Sequence, residues 1–146
     1  MARAVKRVVV VAGLIRGPVD GPNAHRYLIS RRPSGTHLAH SWEFPGGKLE
    51  LGESPHEGLR RELREELGIE VQVGAVFAVG QHVYGHKDVL LLVFDARLTA
   101  GAPQCLEVAE FRWVTAAELL EIPLPPADRP VVDRLRRERV GAASPS

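Results

Sequence analysis

The sequence predicts an α/β protein in which a sheet packs against helices. Residues 5–15 form a continuous, largely β-branched apolar run, which is typical of a strand buried on both faces. Residues 54–68 carry the signals of a capped amphipathic helix, and more apolar runs and a second helical pattern follow it. Strands on both sides of a central helix, with a helix near the end, indicate layers of sheet and helix.

Hydrophobic runs separated by turn residues predict the other strands. Glycine, proline and asparagine mark the first turn, at residues 17–23. A loop is expected from Arg31 to Trp42, and residues 71–83 read as one or two strands. The predicted strands cover residues 5–15, 25–30, 71–83, 88–98 and 110–114.

The central helix is marked at both ends. Ser54 is the predicted N-cap, and Glu57 completes a capping box three residues later. Pro55 occupies the first helical position, and Gly68 is placed to end the helix in a left-handed conformation. An apolar stripe recurs every fourth residue inside the helix and predicts its core-facing side: Leu59, Leu63 and Leu67.

Two further helices are predicted in the C-terminal part. Thr115 and Glu118 form a second capping box, which opens a short helix that Pro123 closes. A stiff connector at residues 124–126 precedes a final helix at residues 128–140.

Length and composition fit one globular domain. The chain has 146 residues, of which 45% are hydrophobic and 25% charged. Nineteen basic and eighteen acidic residues leave no bulk field that would attract nucleic acid or a membrane. The single Cys105 excludes an internal disulfide framework, and no run resembles a signal peptide or a membrane span. The cytoplasm is therefore the expected location, whereas the oligomeric state is not readable from the sequence.

Four glutamates gather beside the leucine stripe. At about 100° per residue, Glu62, Glu65 and Glu66 fall on one flank, Glu53 precedes the N-cap, and Arg61 can pair with Glu65. Carboxylates this close repel one another and raise each other's pKa unless a cation lies among them. All-oxygen ligands favour Mg²⁺, with Mn²⁺ as a substitute. Periodicity alone also allows a solvated, salt-bridged helix face.

Residues 47–69 resemble the Nudix box. Every position that this motif fixes is present: Gly47, Glu53, Arg61, Glu62, Leu63, Glu65, Glu66, Gly68 and Ile69. So many fixed positions in one short stretch make a chance match improbable. The resemblance implies a Nudix hydrolase with an α/β/α sandwich around a central mixed sheet. We expect residues 1–140 to form this single domain and residues 141–146 to be a disordered tail.

The resemblance also implies a metal site. Residues 42–48 are similar to the entry to the box in MutT-type enzymes, which hydrolyse nucleoside triphosphates. The metal ligands carried over are the Gly46 carbonyl and four glutamates: Glu62, Glu65, Glu66 and Glu107. An ordinary loop carboxylate is the alternative for Glu107, and Glu110 is close enough to compete with it.

The same similarity assigns catalytic and structural roles. Glu62 is the preferred general base, and Glu53 is a second position for the metal or the base. Three residues of the box are expected to be structural: Gly47, Arg61 and Gly68. Glycine at positions 46 and 47 allows the backbone to approach a metal closely.

Four residues are expected to contact the substrate: Arg32, Lys48, Tyr84 and Asp128. Asp128 occupies the position of a base-reading asparagine in the MutT segment. An ionised aspartate only accepts hydrogen bonds, which suits the amine of cytosine, whereas an amide both donates and accepts and suits 8-oxoguanine. Some hydrolases of oxidised purines also read the base with aspartates. Asp128 could instead cap the last helix.

The expected reaction is Mg²⁺-dependent hydrolysis of a (deoxy)nucleoside triphosphate to the monophosphate and pyrophosphate, which removes damaged nucleotides. The sequence supports 8-oxo-dGTP and (d)CTP about equally as substrates, because family frequency favours the first and Asp128 favours the second. Two alternatives remain open: hydrolysis of another nucleoside-diphosphate-linked compound, such as ADP-ribose or a dinucleotide polyphosphate, and a Nudix-fold binding module without catalysis. No polymeric nucleic acid or membrane partner is expected.

Overall fold

Seven strands form one mixed sheet in the computed structural model, which describes residues 5–143. The strands are β1 (Lys6–Arg16), β2 (Tyr27–Arg31), β3 (Trp42–Glu43), β4 (Gly46–Lys48), β5 (Glu70–Tyr84), β6 (Lys87–Ala100) and β7 (Glu110–Val114). The helices are α1 (Pro55–Leu67), α2 (Ala116–Leu120) and α3 (Arg129–Ala143), and a 3-10 turn at Pro126–Asp128 precedes α3. None of the helices in residues 5–143 is long and apolar enough to cross a membrane.

The strand order places β1 at the centre. The main path runs β3-β2-β1-β6-β5, while β4 pairs with β1 and β7 pairs with β2. β1 and β6 are parallel over their whole paired length, and the other pairs are antiparallel. A parallel pair needs a long connection between its strands. The segment between β1 and β6 provides it and contains the strands β2 to β5 and the helix α1.

Helices cover both faces of the sheet. The leucine stripe of α1 packs on one face, against a cluster that includes Val11 and Leu28. α2 and α3 pack on the other face, where Leu119 and Leu135 join a second cluster. The predicted α/β/α sandwich with a central mixed sheet is therefore confirmed.

The caps of α1 agree with the sequence. The Ser54 side chain accepts a hydrogen bond from the Glu57 N–H, and Gly68 is left-handed with φ of 66°. Among the described residues the return bond from the Ser54 N–H to the Glu57 carboxylate is absent, so the predicted capping box is only half formed. All three stripe leucines are fully buried. The ends of α1, which depend on local capping rather than on distant contacts, are therefore correctly predicted.

Several predicted boundaries need correction. β1 is fully buried only from Val11 to Ile15, because Val8 and Val10 line an open cavity. β2 begins at Tyr27, since the chain before it turns back with the Arg26 N–H donating to the Asn23 carbonyl. The predicted loop at residues 31–42 overlaps the ends of β2 and β3.

The C-terminal boundaries also differ. The connector at residues 124–126 runs into the 3-10 turn, and α3 continues through residues 141–143 instead of ending at Val140. Residues 144–146 of the predicted tail lie outside the described residues.

Candidate active site

A cavity of about 340 Å³ lies over the parallel pair of strands. Side chains of β1 and β6 form its apolar floor: Val8, Val10, Ala12, Val89 and Leu91. Its walls bring together residues from five other parts of the chain: Arg32, His37, Glu43, Gly46, Lys48, Glu62, Glu66, Tyr84 and Asp128. This cavity falls within the size range of small-molecule sites in proteins.

Two glutamates of α1 line the cavity. Burial, together with the nearby carboxylates of Glu62, Glu43 and Glu107, raises the pKa of Glu66 to about 8. Burial also raises the pKa of Glu62, although its contact with Arg61 opposes this shift. Negative charge is therefore concentrated on the α1 side of the cavity.

Arg61 connects the box carboxylates. Its guanidinium donates to both oxygens of Glu53, at 2.6 and 3.0 Å, and to Glu62 at 3.0 Å. It also donates to Glu65 at 3.2 Å and to the Lys48 carbonyl at 3.1 Å. These contacts include the predicted pair with Glu65 and tie the loop before α1 to the helix itself.

Glu53 and Glu62 have opposite pKa shifts although both contact Arg61. The hydrogen bond from Arg61, followed by one from the Glu50 N–H, lowers the pKa of Glu53. Burial is instead the largest influence on Glu62 and raises its pKa. Glu53 is therefore held ionised by its partners, whereas Glu62 is the more basic of the two carboxylates.

Gly46 and Gly47 bring β4 unusually close to its neighbours. A Cβ at position 46 would overlap the carbonyl oxygen of Val11 on β1. A Cβ at position 47 would overlap the carboxylate of Glu62. Glycine is therefore required at both positions for β4 to lie between β1 and the acidic side of α1.

Asp128 closes another part of the cavity. It ends the 3-10 turn and is only 5% exposed. Burial, and then the charge of Glu43, raises its pKa to about 8. Among the described residues, no hydrogen bond of its carboxyl group is present, so no contact supports the alternative in which Asp128 caps α3.

Glu43 is a site residue that the sequence reasoning missed. Its carboxylate accepts from the Arg32 guanidinium at 3.2 and 3.3 Å. Burial raises its pKa and Arg32 opposes the shift. Glu43 lies close enough to Glu66 and Asp128 to raise the pKa of both. Its position beside the box was visible in the sequence, but nothing local showed that it points into the cavity.

Three other wall residues were also missed: His37, Leu38 and Lys87. The loop at residues 33–41 brings the first two to the cavity, with Leu38 at φ of 55°. His37 packs edge-on against the Tyr84 ring at 5.3 Å, and His82 contacts the same ring at 4.6 Å. Histidine spacing gave no signal for the His37 contact because it joins a loop to the strand β5, whereas His82 and Tyr84 are neighbours on one face of β5.

Not every predicted site residue lines the cavity. Glu53 and Glu65 are outside its walls and reach the site through Arg61. Glu107 is exposed, but its N–H donates to the Glu66 carbonyl at 3.2 Å, so its loop adjoins the acidic side. Glu110, its competitor, forms an ion pair with Arg31 at 3.4 Å.

The donor chemistry suits a hard cation. The acidic side of the cavity, formed by Glu62 and Glu66 of α1, offers carboxylate oxygens, and Gly46 lies in the same cavity. Such oxygen donors are the ligands of hard cations, and other carboxylates lie near Glu66. In the part of the chain that the structure describes, no three His, Cys, Asp or Glu side chains are grouped closely enough to hold a metal ion. The guanidinium of Arg61 lies among these carboxylates in this conformation.

The NUDIX domain family matches residues 21–134, which include the box, the cavity walls and most of the sheet. The chain belongs to the Nudix family. Nudix hydrolases generally need a divalent metal, in agreement with the concentration of carboxylates on α1.

Two Nudix relatives come from Escherichia coli (strain K12). The chain is 31% identical to an 8-oxo-dGTP diphosphatase over 133 residues, covering 91% of this chain and 99% of the relative. It is 37% identical to a CTP pyrophosphohydrolase over 129 residues, covering 88% and 91%. The predicted enzyme class, a MutT-like hydrolase of phosphoric anhydride bonds, is thereby confirmed.

A solved structure supports the same assignment. The crystal structure of the MutT protein from Methanosarcina mazei Go1 superimposes with a TM-score of 0.79 at 29% identity. The match covers 94% of this chain and 99% of that protein. The similarity therefore extends over the whole Nudix fold rather than the box alone.

Proposed function

We propose that this Nudix hydrolase cleaves 8-oxo-dGTP to the nucleoside monophosphate and pyrophosphate. The observation that carries the proposal is that one cavity combines the acidic side of α1 with the buried Asp128. A triphosphate needs charge neutralisation and an in-line nucleophile, and a base needs a buried polar group that identifies it. Both requirements are served by walls of the same cavity.

The proposed metal is Mg²⁺, with Mn²⁺ as a substitute. The Gly46 carbonyl, Glu62, Glu65 and Glu66 would hold it, with Glu107 as a further ligand from the adjoining loop. When bound there, such a cation neutralises phosphate charge and makes a water molecule more acidic. The chemistry of these oxygen donors supports this assignment.

Glu62 is the proposed general base. Its burial raises its pKa, which makes it a better proton acceptor near neutral pH than an ordinary carboxylate. Glu53, the other candidate, is bound by both the Arg61 guanidinium and the Glu50 N–H, and its pKa is lowered. We therefore assign Glu53 the task of fixing Arg61 and the loop before α1.

Phosphate binding is proposed for Lys48 and Arg32. Both line the cavity, and their positive charge complements a triphosphate. Glu43 accepts from the Arg32 guanidinium and thereby restricts its direction. The Tyr84 ring forms part of the wall beside the base.

The protonation of Asp128 suits the recognition of 8-oxoguanine. With a pKa of about 8, the carboxyl carries its proton at neutral pH and offers one donor and one acceptor. That pair matches O6 and the N7–H of 8-oxoguanine in the way an asparagine amide does.

A second candidate substrate is (d)CTP. One relative is named CTP pyrophosphohydrolase. Above about pH 8, Asp128 would lose its proton and become a pure acceptor, which suits the cytosine amine. The relative rates for the two substrates should therefore depend on pH.

A nucleotide panel tests the proposal. The release of pyrophosphate and of phosphate would be measured with Mg²⁺ and 8-oxo-dGTP, dGTP, CTP, dCTP, 5-methyl-dCTP and ADP-ribose, at about pH 7 and about pH 9. We expect pyrophosphate release with 8-oxo-dGTP as the best substrate at the lower pH, and a smaller ratio of its kcat/KM to that of dCTP at the higher pH. The ratio cancels effects of pH on the shared acidic residues. Preference for ADP-ribose would overturn the substrate class, and absence of turnover would favour a binding module.

A cytoplasmic location and the lack of polymeric nucleic acid and membrane partners remain predictions.

A further inference from the structure

We propose that Tyr84 and Gly80 of β5 are positioning residues that hold the Pro126–Asp128 turn and thereby set the base selectivity of the cavity. The inference rests on base recognition by Asp128, as proposed above. It assigns the Tyr84 hydroxyl a task that is separate from the contact of its ring with the cavity.

The Tyr84 hydroxyl holds the turn by a hydrogen bond. It accepts from the N–H of Ala127, the residue before Asp128, at 3.1 Å. Ala127 is 5% exposed, so its N–H has little access to water if this bond is lost. The Tyr84 ring is itself fixed by edge contacts with His37 and His82. The hydroxyl therefore extends from a supported ring and is suited to fix the backbone next to Asp128.

Gly80 makes the second contact with Ala127. A Cβ at position 80 would overlap the Ala127 carbonyl oxygen and lie 2.9 Å from its carbonyl carbon. Gly80 and Tyr84 are four residues apart on β5 and therefore belong to the same face of the strand. The carbonyl group of Ala127 is thus packed against the backbone of β5 at Gly80. Its N–H donates to the side chain of Tyr84 on the same strand.

Asp128 depends on these contacts because its own side chain provides no anchor. In residues 5–143, its carboxyl group has no hydrogen bond, and its backbone N–H donates within the turn to the Pro125 carbonyl at 2.9 Å. A displacement of Ala127 would therefore move the carboxyl of Asp128 directly. Base reading by a hydrogen-bond pair is sensitive to such a displacement.

The test is the variant Tyr84→Phe, which keeps the ring and removes the hydroxyl. We expect the selectivity for the preferred nucleotide, measured as a ratio of kcat/KM values, to fall by about fivefold to tenfold, the effect of one hydrogen bond. The loss should appear in KM, while kcat stays within about twofold, because the acidic side of the cavity is unchanged. A purely structural effect would weaken all nucleotides alike and would contradict the proposal.

The matched control is Tyr27→Phe. Tyr27 is also buried, and its hydroxyl accepts from Arg16 at 3.2 Å, but it lies on β2 and does not line the cavity. We expect its base selectivity to equal that of the wild type. Thermal melts of both variants would verify that each is folded.

Asp128→Ala and the double variant separate this inference from the proposed function. If Tyr84 acts through Asp128, Tyr84→Phe should cause no further loss of selectivity in the Asp128→Ala background. An additive loss would mean that Tyr84 contacts the base directly and would overturn the positioning role. Unchanged selectivity in Asp128→Ala would overturn base recognition by Asp128. A loss in Asp128→Ala without one in Tyr84→Phe would overturn only the positioning proposal.

Discussion

At the scale of single residues, surroundings rather than residue type set the chemistry of the acidic groups. Glu53 and Glu66 belong to the same motif, yet the pKa of Glu53 is lowered by Arg61 while burial raises that of Glu66. Asp128 is far from Glu66 in the sequence, yet burial is the largest influence on the pKa of both groups. In this respect Asp128 is more similar to Glu66 than Glu53 is. The environments therefore separate a carboxylate held ionised by Arg61 from two carboxyl groups whose pKa is raised by burial.

Replacing Glu66 by Gln should abolish most of the activity without unfolding the protein. The expected loss in kcat is about two orders of magnitude or more, because a metal-side carboxylate supports charge neutralisation in the transition state. The matched control is Glu57→Gln, in the exposed first turn of the same helix. Steady-state kinetics and thermal melts would be compared for both. Wild-type kcat in Glu66→Gln would refute the metal assignment.

Asp128→Asn should change how stability depends on pH. The pKa of Asp128 is about 8 in the folded protein against an ordinary value of 3.8, so the folded state binds this proton more tightly than the unfolded state. The stabilisation is complete below about pH 4 and is lost as the pH rises through about 8. Its slope is at most about 1.4 kcal/mol per pH unit.

Urea unfolding at about pH 5, 7 and 9 would measure this effect. The wild type should lose stability relative to Asp128→Asn as the pH increases, because the amide has no proton to release. Parallel pH profiles for the two proteins would show that Asp128 is not held protonated by the fold.

At the scale of elements, α1 combines stability and chemistry on two flanks of one helix. Its leucines are fully buried against β1 and β2, which fixes the rotation of the helix about its axis. That rotation directs Glu62 and Glu66 into the cavity. The leucine packing therefore positions the acidic side of the site.

Leu63→Ala should destabilise the fold by about 2–5 kcal/mol, because it removes a fully buried side chain. The control Leu51→Ala removes the same atoms at a position that is 104% exposed, and its expected effect is below about 0.5 kcal/mol. Chemical denaturation of both variants measures the difference. Equal destabilisation would contradict the role of the stripe as the core of α1.

At the scale of the whole molecule, the site exists because the sheet brings distant segments together. The parallel pairing of β1 with β6 forms the floor of the cavity, while β4, α1 and the Pro126–Asp128 turn supply walls. The close approach of β4 to β1 depends on Gly46. The sheet and the site are therefore linked at this position.

Gly46→Ala should impair stability and activity together. Its Cβ would overlap the Val11 carbonyl, and overpacking of this kind costs about 1–3 kcal/mol. A displaced β4 would also misplace groups of the acidic side, which can lower kcat about a hundredfold. The control is Gly74→Ala on the edge strand β5, where the nearest atom to a new Cβ is 3.4 Å away. Melting temperature and kcat would be measured for both, and wild-type behaviour of Gly46→Ala would contradict the packing argument.

Elements that depend on local signals were predictable from the amino-acid sequence. The caps and leucine stripe of α1 were predicted correctly because they involve residues within a few positions of one another. The range of β7 was predicted correctly, and so was the fold class. The box motif identified the family because its spacing is itself local.

The set of distant residues that share the cavity is visible only in the folded protein. Glu43, His37 and Lys87 lie there because separate strands and a loop converge, which no local pattern records. The same convergence buries Asp128 near Glu43, and both influences raise the pKa of its carboxyl group. Burial and electrostatic coupling arise from segments that meet in space, so the sequence located the carboxylates of α1 while the fold decided the environment of Asp128.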